Sequence, residues 1–328
     1  MLKYSTQFQQ ALHRTFILAA TMSVMIFLWS CGHLPEDNLL ITVFAFLSSV
    51  RISDTASAEL RWHMLSGMLL GSIFLQYIVS VNHNCFLLNT VLPLAAARII
   101  IKHLPSGSVF PVLLTGFLAY SATPGAYAAA ERSIDILIAG IAAWSVSYLA
   151  TVKKTPVETA FTEKPLPAEK VCIVSRTVIC AVILYKILPV PQGIWIVLTA
   201  IFIYMVQKPE DRTINLVQQR IFSVPIGIFL GGLYSSAVVM FDYRFAYLAP
   251  LIGVVGFFML YYKHDFFSFT LFFMFAFTVC ADWLNGVGRE INFLQLLFAR
   301  SLATLIGTTV LLGIERVSAN CFKQVQAT

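Results

Sequence analysis

The chain has 328 residues, of which 58% are hydrophobic and only 12% are charged, and its mean hydropathy is +0.80. A soluble core of this length cannot bury so much apolar surface, so the composition excludes a soluble globular protein and indicates an integral membrane protein. The formal net charge of +6 does not indicate a nucleic-acid-binding protein, because the Lys and Arg residues stand singly between apolar runs. The lipid bilayer is therefore the expected partner.

Apolar runs separated by charged residues, Pro and Asn predict an all-α fold with twelve membrane spans. The spans are expected at about 14–30, 38–51, 61–80, 84–101, 108–123, 132–151, 172–188, 193–206, 217–240, 244–262, 265–281 and 291–314. A helix needs about 20 residues to cross a bilayer. Several of the predicted spans are shorter, so some are expected to be broken or re-entrant. The basic start and first apolar run imitate a signal peptide, but we interpret them as the first transmembrane helix.

Two stretches of the chain resemble each other. Pro35 matches Pro191, Thr42 matches Thr199, Arg51 matches Lys208, Asp54 matches Asp211, Arg61 matches Arg220, and Gly67 and Gly71 match Gly227 and Gly231. Such self-similarity predicts an internal repeat. With six spans in each copy, the repeats are expected to be parallel. The predicted division is a first repeat at 1–151, a cytoplasmic linker at 152–171, a second repeat at 172–316 and a tail at 317–328.

The distribution of basic residues predicts the orientation. Lys and Arg gather in cytoplasmic loops of membrane proteins, and a cytoplasmic N-terminus leaves only Arg132, Arg244 and Arg289 on the outer side. We therefore expect a multi-pass protein of the bacterial inner membrane with both termini in the cytoplasm.

The short spans 38–51 and 193–206 indicate the binding region. Short or Pro-interrupted spans at corresponding positions of two repeats point to a transporter's binding site. Thr42 and Thr199, in the middle of these spans, are candidates for binding substrate. Alternatively, each Thr bonds its own helix backbone.

Charged residues at membrane depth are candidates for function, because charge is costly in hydrocarbon. Arg300 and Arg132 are predicted to hold a carboxylate, which fits the guanidinium fork. The alternative is that both reach outward or pair with Asp135 and Glu290. Asp135 is a candidate proton carrier, or else an ion-pair partner of Arg132 one turn away.

Four further charged residues flank the breaks after the short spans. Asp54 and Arg61 in the first copy, with Asp211 and Arg220 in the second, are expected to form cytoplasmic salt bridges, and a gating role is the alternative. Arg98 and Lys186, near predicted span ends, are expected to reach the interface. The run 257–277 is rich in Phe and Tyr and is interpreted either as packing or as a stacking surface for a flat substrate.

Catalytic and metal-binding patterns were not found in the sequence. It has no phosphate-binding Walker loop, no paired catalytic carboxylates, no Ser/His/Asp pattern and no metal-ligand spacing. We therefore expect a protein that is not an enzyme and needs no cofactor or metal.

The pattern Gly193-x-Trp195-x3-Thr199, then Lys208-Pro209, Arg220 and Gly227-x3-Gly231, resembles the fusaric acid resistance / aromatic acid exporter superfamily. The resemblance implies an inner-membrane exporter of aromatic carboxylates and related toxic acids. It also implies a periplasmic membrane-fusion adaptor and an outer-membrane channel as partners, while distant plant relatives are anion channels. Trp195, part of this pattern, joins the candidate substrate-binding residues.

The expected function is export of organic anions driven by the proton gradient. Two alternatives remain open at this point, a passive anion channel and a membrane scaffold that assembles an envelope complex. Homo-oligomerisation is compatible with all three.

Overall fold

The structure is a computed structural model. It describes residues 2–31, 65–70, 86–120, 166–190, 193–207, 211–242, 245, 248–284 and 293–327, together with some residues of 134–149. Nine helices have described bounds, and residues 65–70 and 137–142 are also helical; no β-strand lies among the described residues, which confirms the all-α prediction. They are α1 (Leu2–Ser30), α2 (Phe86–His103), α3 (Ser106–Tyr120), α4 (Ala168–Ile187), α5 (Ile194–Val206), α6 (Thr213–Phe241), α7 (Leu248–Lys263), α8 (Phe266–Leu284) and α9 (Phe293–Ala327).

Two of these helices contain segments long and apolar enough to cross a membrane, Thr213–Val238 of α6 and Leu294–Ala319 of α9. Shorter apolar helices include α5, α7 and most of α8. The predicted span at 38–51 lies outside the described residues, so the count of twelve spans and the internal repeat stay predictions.

Helix α6 shows how the apolar surface is distributed. The outer face of α6 is exposed and apolar, with Phe222, Ile226, Phe229 and Leu233 at helical spacing. Its opposite face is buried and contains an arginine, Arg220. An apolar exposed face, together with a buried face that contains a charged residue, is typical of a helix surrounded by lipid.

The described residues group into two compact units. Unit 1 draws on Met1–Asp54, Ile134–Val157 and Gln218–Ser301, and unit 2 on Thr55–Ser133, Glu158–Val217 and Leu302–Thr328. Each unit thus takes residues from both sides of the predicted linker. The division into sequential repeats stays a prediction.

In unit 1, α7 packs along α8 and also against α1. The ring of Phe8 on α1 makes edge contacts with Phe258 and Tyr262 of α7, at centroid distances of 5.7 and 5.5 Å. Gly253 and Gly256 of α7 bring this helix close to α8, since a Cβ at Gly256 would lie 2.9 Å from Phe272 Cβ. Small residues therefore let helix α7 approach α8 closely.

Unit 2 is built around α5. Every side chain from Ile194 to Tyr204 is buried, as expected for a helix that is apolar on all sides. Helices α3 and α4 both pack against α5, and α2 packs against α4. With 13 residues, α5 is about 20 Å long, shorter than the hydrocarbon core of about 30 Å. The second predicted short span is therefore a short, buried helix.

Candidate anion-binding site

Two arginines lie buried in unit 1, one on α6 and one on α9. Arg220 is 2% exposed and Arg300 is 5% exposed, although an arginine at the centre of a membrane helix costs about 3 kcal/mol. The positive charge of Arg220 acts on Arg300, so the two groups are close enough to repel each other. An anionic group placed near both would gain from each charge. This makes the pair the strongest candidate for a functional site.

The position of Arg300 follows from the periodicity of α9. Arg300 lies two turns into the helix, and Ala299, Ala303 and Thr304 beside it are also buried. Leu294 and Phe298 lie on the opposite face and are exposed. Residues on the same side of an α-helix recur every three or four positions. The guanidinium of Arg300 is therefore carried on the inward side of α9.

An aromatic row on α8 leads to this guanidinium. Arg300 Cζ lies 4.7 Å from the centroid of the Phe277 ring, within the range of a cation–π interaction. Phe266, Phe269, Phe273 and Phe277 are buried, with successive centroids 6.2, 5.8 and 6.3 Å apart. Part of the aromatic run seen in the sequence is thus a continuous row of packed rings that ends at Arg300.

Glycines hold α6, and with it Arg220, close to α8. A Cβ at Gly227 would lie 2.5 Å from Leu271 O, and a Cβ at Gly231 would lie 2.8 Å from Phe275 O. Arg220 precedes these glycines by seven and eleven residues, which is the same face of the helix. Contact this close leaves α6 little freedom to shift, so the helix places Arg220 in the interior of unit 1.

Trp195 and Thr199 lie on α5 in unit 2, and both are buried. Thr199 is 0% exposed, and its Oγ1 has no hydrogen-bond partner among the described residues. The alternative that this Thr bonds its own backbone is therefore not observed, although Thr177 does so, donating to Ile173 O over 2.9 Å. A buried hydroxyl without a partner loses its hydrogen bonds to water. Thr199 is thus suited to binding a polar group.

Helix α9 contacts this turn of α5 through a glycine. A Cβ at Gly307 would lie 2.5 Å from Ile196 O and 3.1 Å from Thr199 Cβ. The backbone of α9 therefore packs directly on the turn that holds Thr199.

The structure describes some of the residues predicted from the sequence. Arg300, Trp195, Thr199 and Arg220 are buried, and Asp211 lies half-buried just before α6. The remaining candidates lie outside the described residues: Thr42, Asp54, Arg61, Arg132 and Asp135. The pairing of Arg132 with Arg300, the proton-carrying role of Asp135 and the gating roles stay predictions.

Sequence reasoning did not group Arg220 with Arg300. It placed Arg220 among cytoplasmic salt bridges, whereas the structure buries this side chain two turns inside α6. The signal was present in the spacing, because Arg220 shares a helix face with Gly227 and Gly231. A sequence pattern does not show that the fold brings Arg220 near enough to Arg300 for the two charges to interact.

Comparison with known proteins identifies the part of the chain that carries these residues. Residues 179–314, about two fifths of the chain, match the family described as fusaric acid resistance protein-like. No curated protein and no solved structure matched the chain. The match includes α5 to α8 and both buried arginines, and the family suggests a membrane transport or resistance function. The resemblance seen in the sequence is thereby confirmed over part of the chain: the segment 179–314 is similar to the fusaric acid resistance protein-like family.

Proposed function

We propose that this protein exports organic anions, aromatic carboxylic acids in particular, across the bacterial inner membrane. The observation that carries the proposal is the burial of Arg300 beside Phe277, within reach of the charge of Arg220. The family match supports a transport function in the same segment.

The chemistry of the site fits a carboxylate joined to a ring. A guanidinium offers two parallel N–H donors that match the two oxygens of a carboxylate. The neighbouring rings of Phe277 and Phe273 offer apolar faces on which a flat substrate stacks. An aromatic acid uses both features, while a small inorganic anion uses only the first.

The remaining parts of the proposal come from the sequence. The short spans line the path, with Thr42, Thr199 and Trp195 as substrate contacts, and Arg132 is a second carboxylate ligand. Asp135 carries the coupling proton. The charged residues Asp54, Arg61 and Asp211 gate the path, whereas Arg220, the fourth gating candidate from the sequence, belongs to the anion site beside Arg300. Both termini are cytoplasmic, and a periplasmic adaptor with an outer-membrane channel completes the export route.

Flux through the purified protein tests this function. The protein is reconstituted in proteoliposomes, and movement of labelled hydroxybenzoate is followed with and without an imposed pH gradient. We expect accumulation that depends on the gradient and falls at least tenfold in Arg300→Gln. Arg316→Gln is the matched control, because Arg316 is an exposed arginine on the same helix, and this variant keeps its flux.

Other outcomes favour the alternatives. Downhill flux that ignores the pH gradient contradicts coupled export and supports a passive anion channel. No flux of any organic anion, with robust capture of envelope proteins, supports the scaffold. Undiminished flux in a folded Arg300→Gln protein removes Arg300 from the site.

A further inference from the structure

A surface of unit 2 where α2 packs against α4 carries a set of basic side chains away from the arginine pair. Arg98 on α2 reaches across to α4, where its Nη1 donates to Ser175 Oγ over 2.5 Å and to Val171 O over 3.3 Å. Ser175 Oγ itself donates to Val171 O over 2.6 Å. These bonds use one nitrogen of the guanidinium and hold the group in one orientation. The Nε and Nη2 donors of Arg98 have no hydrogen-bond partner among the described residues.

Two more cations are close in the chain to Arg98 and to its partner Ser175. Lys102 follows it by one turn on the same face of α2, and Arg176 is the chain neighbour of Ser175 on α4. Both side chains are exposed, and neither forms an ion pair with a described residue. Glu169 is the exposed carboxylate in the same part of α4, so positive charge is in excess here. We call Arg98, Lys102 and Arg176 the basic patch.

Lys170 does not belong to the patch, although it lies on α4 within one turn of Val171. Its charge acts on Glu315 of α9, which lies in the same unit. This lysine thus already has an acidic group nearby, and its charge is less available to a ligand than those of the patch.

The apolar surroundings of the basic patch indicate the membrane. Exposed apolar side chains lie on the same two helices: Val91, Ile99, Ile183 and Ile187. Such residues suit contact with hydrocarbon, whereas Arg98 and Lys102 lie in the last two turns of α2 and Arg176 lies in the first half of α4. Long basic side chains at the end of a membrane helix extend to the headgroup layer. Because the sequence predicts membrane spans at 84–101 and 172–188, we place the patch where acyl chains give way to headgroups.

We propose that the basic patch binds the phosphate of an anionic phospholipid of the surrounding bilayer. The oriented guanidinium of Arg98 supplies the fork that fits phosphate oxygens, and Lys102 and Arg176 add two positive charges. The acyl chains of the same lipid lie along the exposed apolar residues of α2 and α4. A lipid uses both the charged and the apolar part of this surface, which a free phosphate ion does not.

Lipid binding by the purified full-length protein tests the proposal. The protein in a neutral detergent is titrated with phosphatidylglycerol and with phosphatidylcholine of the same acyl chains, and dissociation constants are read from bound lipid. We expect tighter binding of phosphatidylglycerol. In the double variant Lys102→Gln/Arg176→Gln, the ratio of the dissociation constants of phosphatidylcholine and phosphatidylglycerol is expected to fall by about fivefold for each cation removed. These two side chains make no hydrogen bond with described residues, so the variant is expected to fold.

A control variant separates the patch from general charge. Arg212→Gln/Lys263→Gln removes two exposed cations from other parts of the chain and is expected to keep the preference within about twofold. Equal losses in both variants, or no preference in the wild type, overturn the proposal. Inorganic phosphate at millimolar concentration is expected not to displace the lipid. Displacement by phosphate alone replaces the lipid with a free anion as the ligand and also overturns it.

Discussion

Buried polar side chains in the two units differ in whether they have partners among the described residues. The buried arginine Arg300 contacts an aromatic ring and shares its surroundings with a second arginine. The buried hydroxyl of Thr199 has no hydrogen-bond partner among the described residues, whereas the hydroxyl of Thr177 lies 3.1 Å from Tyr204 Oη. A threonine that bonds within the fold contributes to stability, while one that does not is available for a ligand.

This contrast predicts opposite effects of one substitution. Thr199→Val removes a hydroxyl with no partner, so we expect the free energy of unfolding to rise by about 1 kcal/mol and hydroxybenzoate flux to fall. Thr177→Val removes two hydrogen bonds and is expected to lower the free energy of unfolding by about 1–3 kcal/mol. Denaturant unfolding in detergent micelles measures both. A loss of stability in Thr199→Val as large as in Thr177→Val would show that Thr199 is bonded.

The helices themselves were largely predictable from the sequence, because apolar runs mark the membrane-buried segments. The run at 193–206 became α5, Ile194–Val206, and the run at 265–281 became α8, Phe266–Leu284. The last membrane span was predicted at about 291–314, and the helix that contains it, α9, runs from Phe293 to Ala327. Hydropathy indicates where a segment leaves the lipid, which is not where its helix ends. A helix continues into the polar region when the residues there favour helix formation.

Close packing between helices was only partly predictable. Gly227 and Gly231 stood out by their spacing, and the structure places both against the backbone of α8. Gly307 of α9 packs as closely against α5. The spacing of glycines shows which face of a helix allows close approach, but tertiary structure decides which helix packs there.

Two glycines of α9 therefore respond differently to the same change. In Gly307→Ala the new methyl group would lie 2.5 Å from Ile196 O, and we expect the free energy of unfolding to fall by about 1–3 kcal/mol. Gly313 has nothing within 4 Å of its Cβ position. Gly313→Ala is expected to be neutral or to gain up to about 1 kcal/mol, because alanine favours the helix. Thermal unfolding of the two variants side by side measures the difference, and equal midpoints would contradict the close contact.

At the scale of the whole molecule, composition alone indicated a membrane protein, and the matched segment 179–314 supports this interpretation. The candidate site was predictable only in part. The sequence indicated Arg300 because it lies inside an apolar run, where burying a charge is costly. Arg220 follows a charged break and was therefore interpreted as an interfacial residue. The grouping of the two depends on how α6, α8 and α9 meet in unit 1, which a local pattern does not encode.

The central claim is that Arg220 and Arg300 form one anion-binding site. Equilibrium binding of hydroxybenzoate to the purified protein tests it most directly, with Arg220→Gln, Arg300→Gln and the exposed control Arg316→Gln compared with the wild type. The folded state of each variant is checked by circular dichroism and thermal unfolding. The account predicts that each buried-arginine variant weakens binding at least tenfold, since a hydrogen bond to a charged group contributes about 1.5–3 kcal/mol, and that the control binds as the wild type does. Unchanged affinity in folded Arg220→Gln and Arg300→Gln proteins would contradict it.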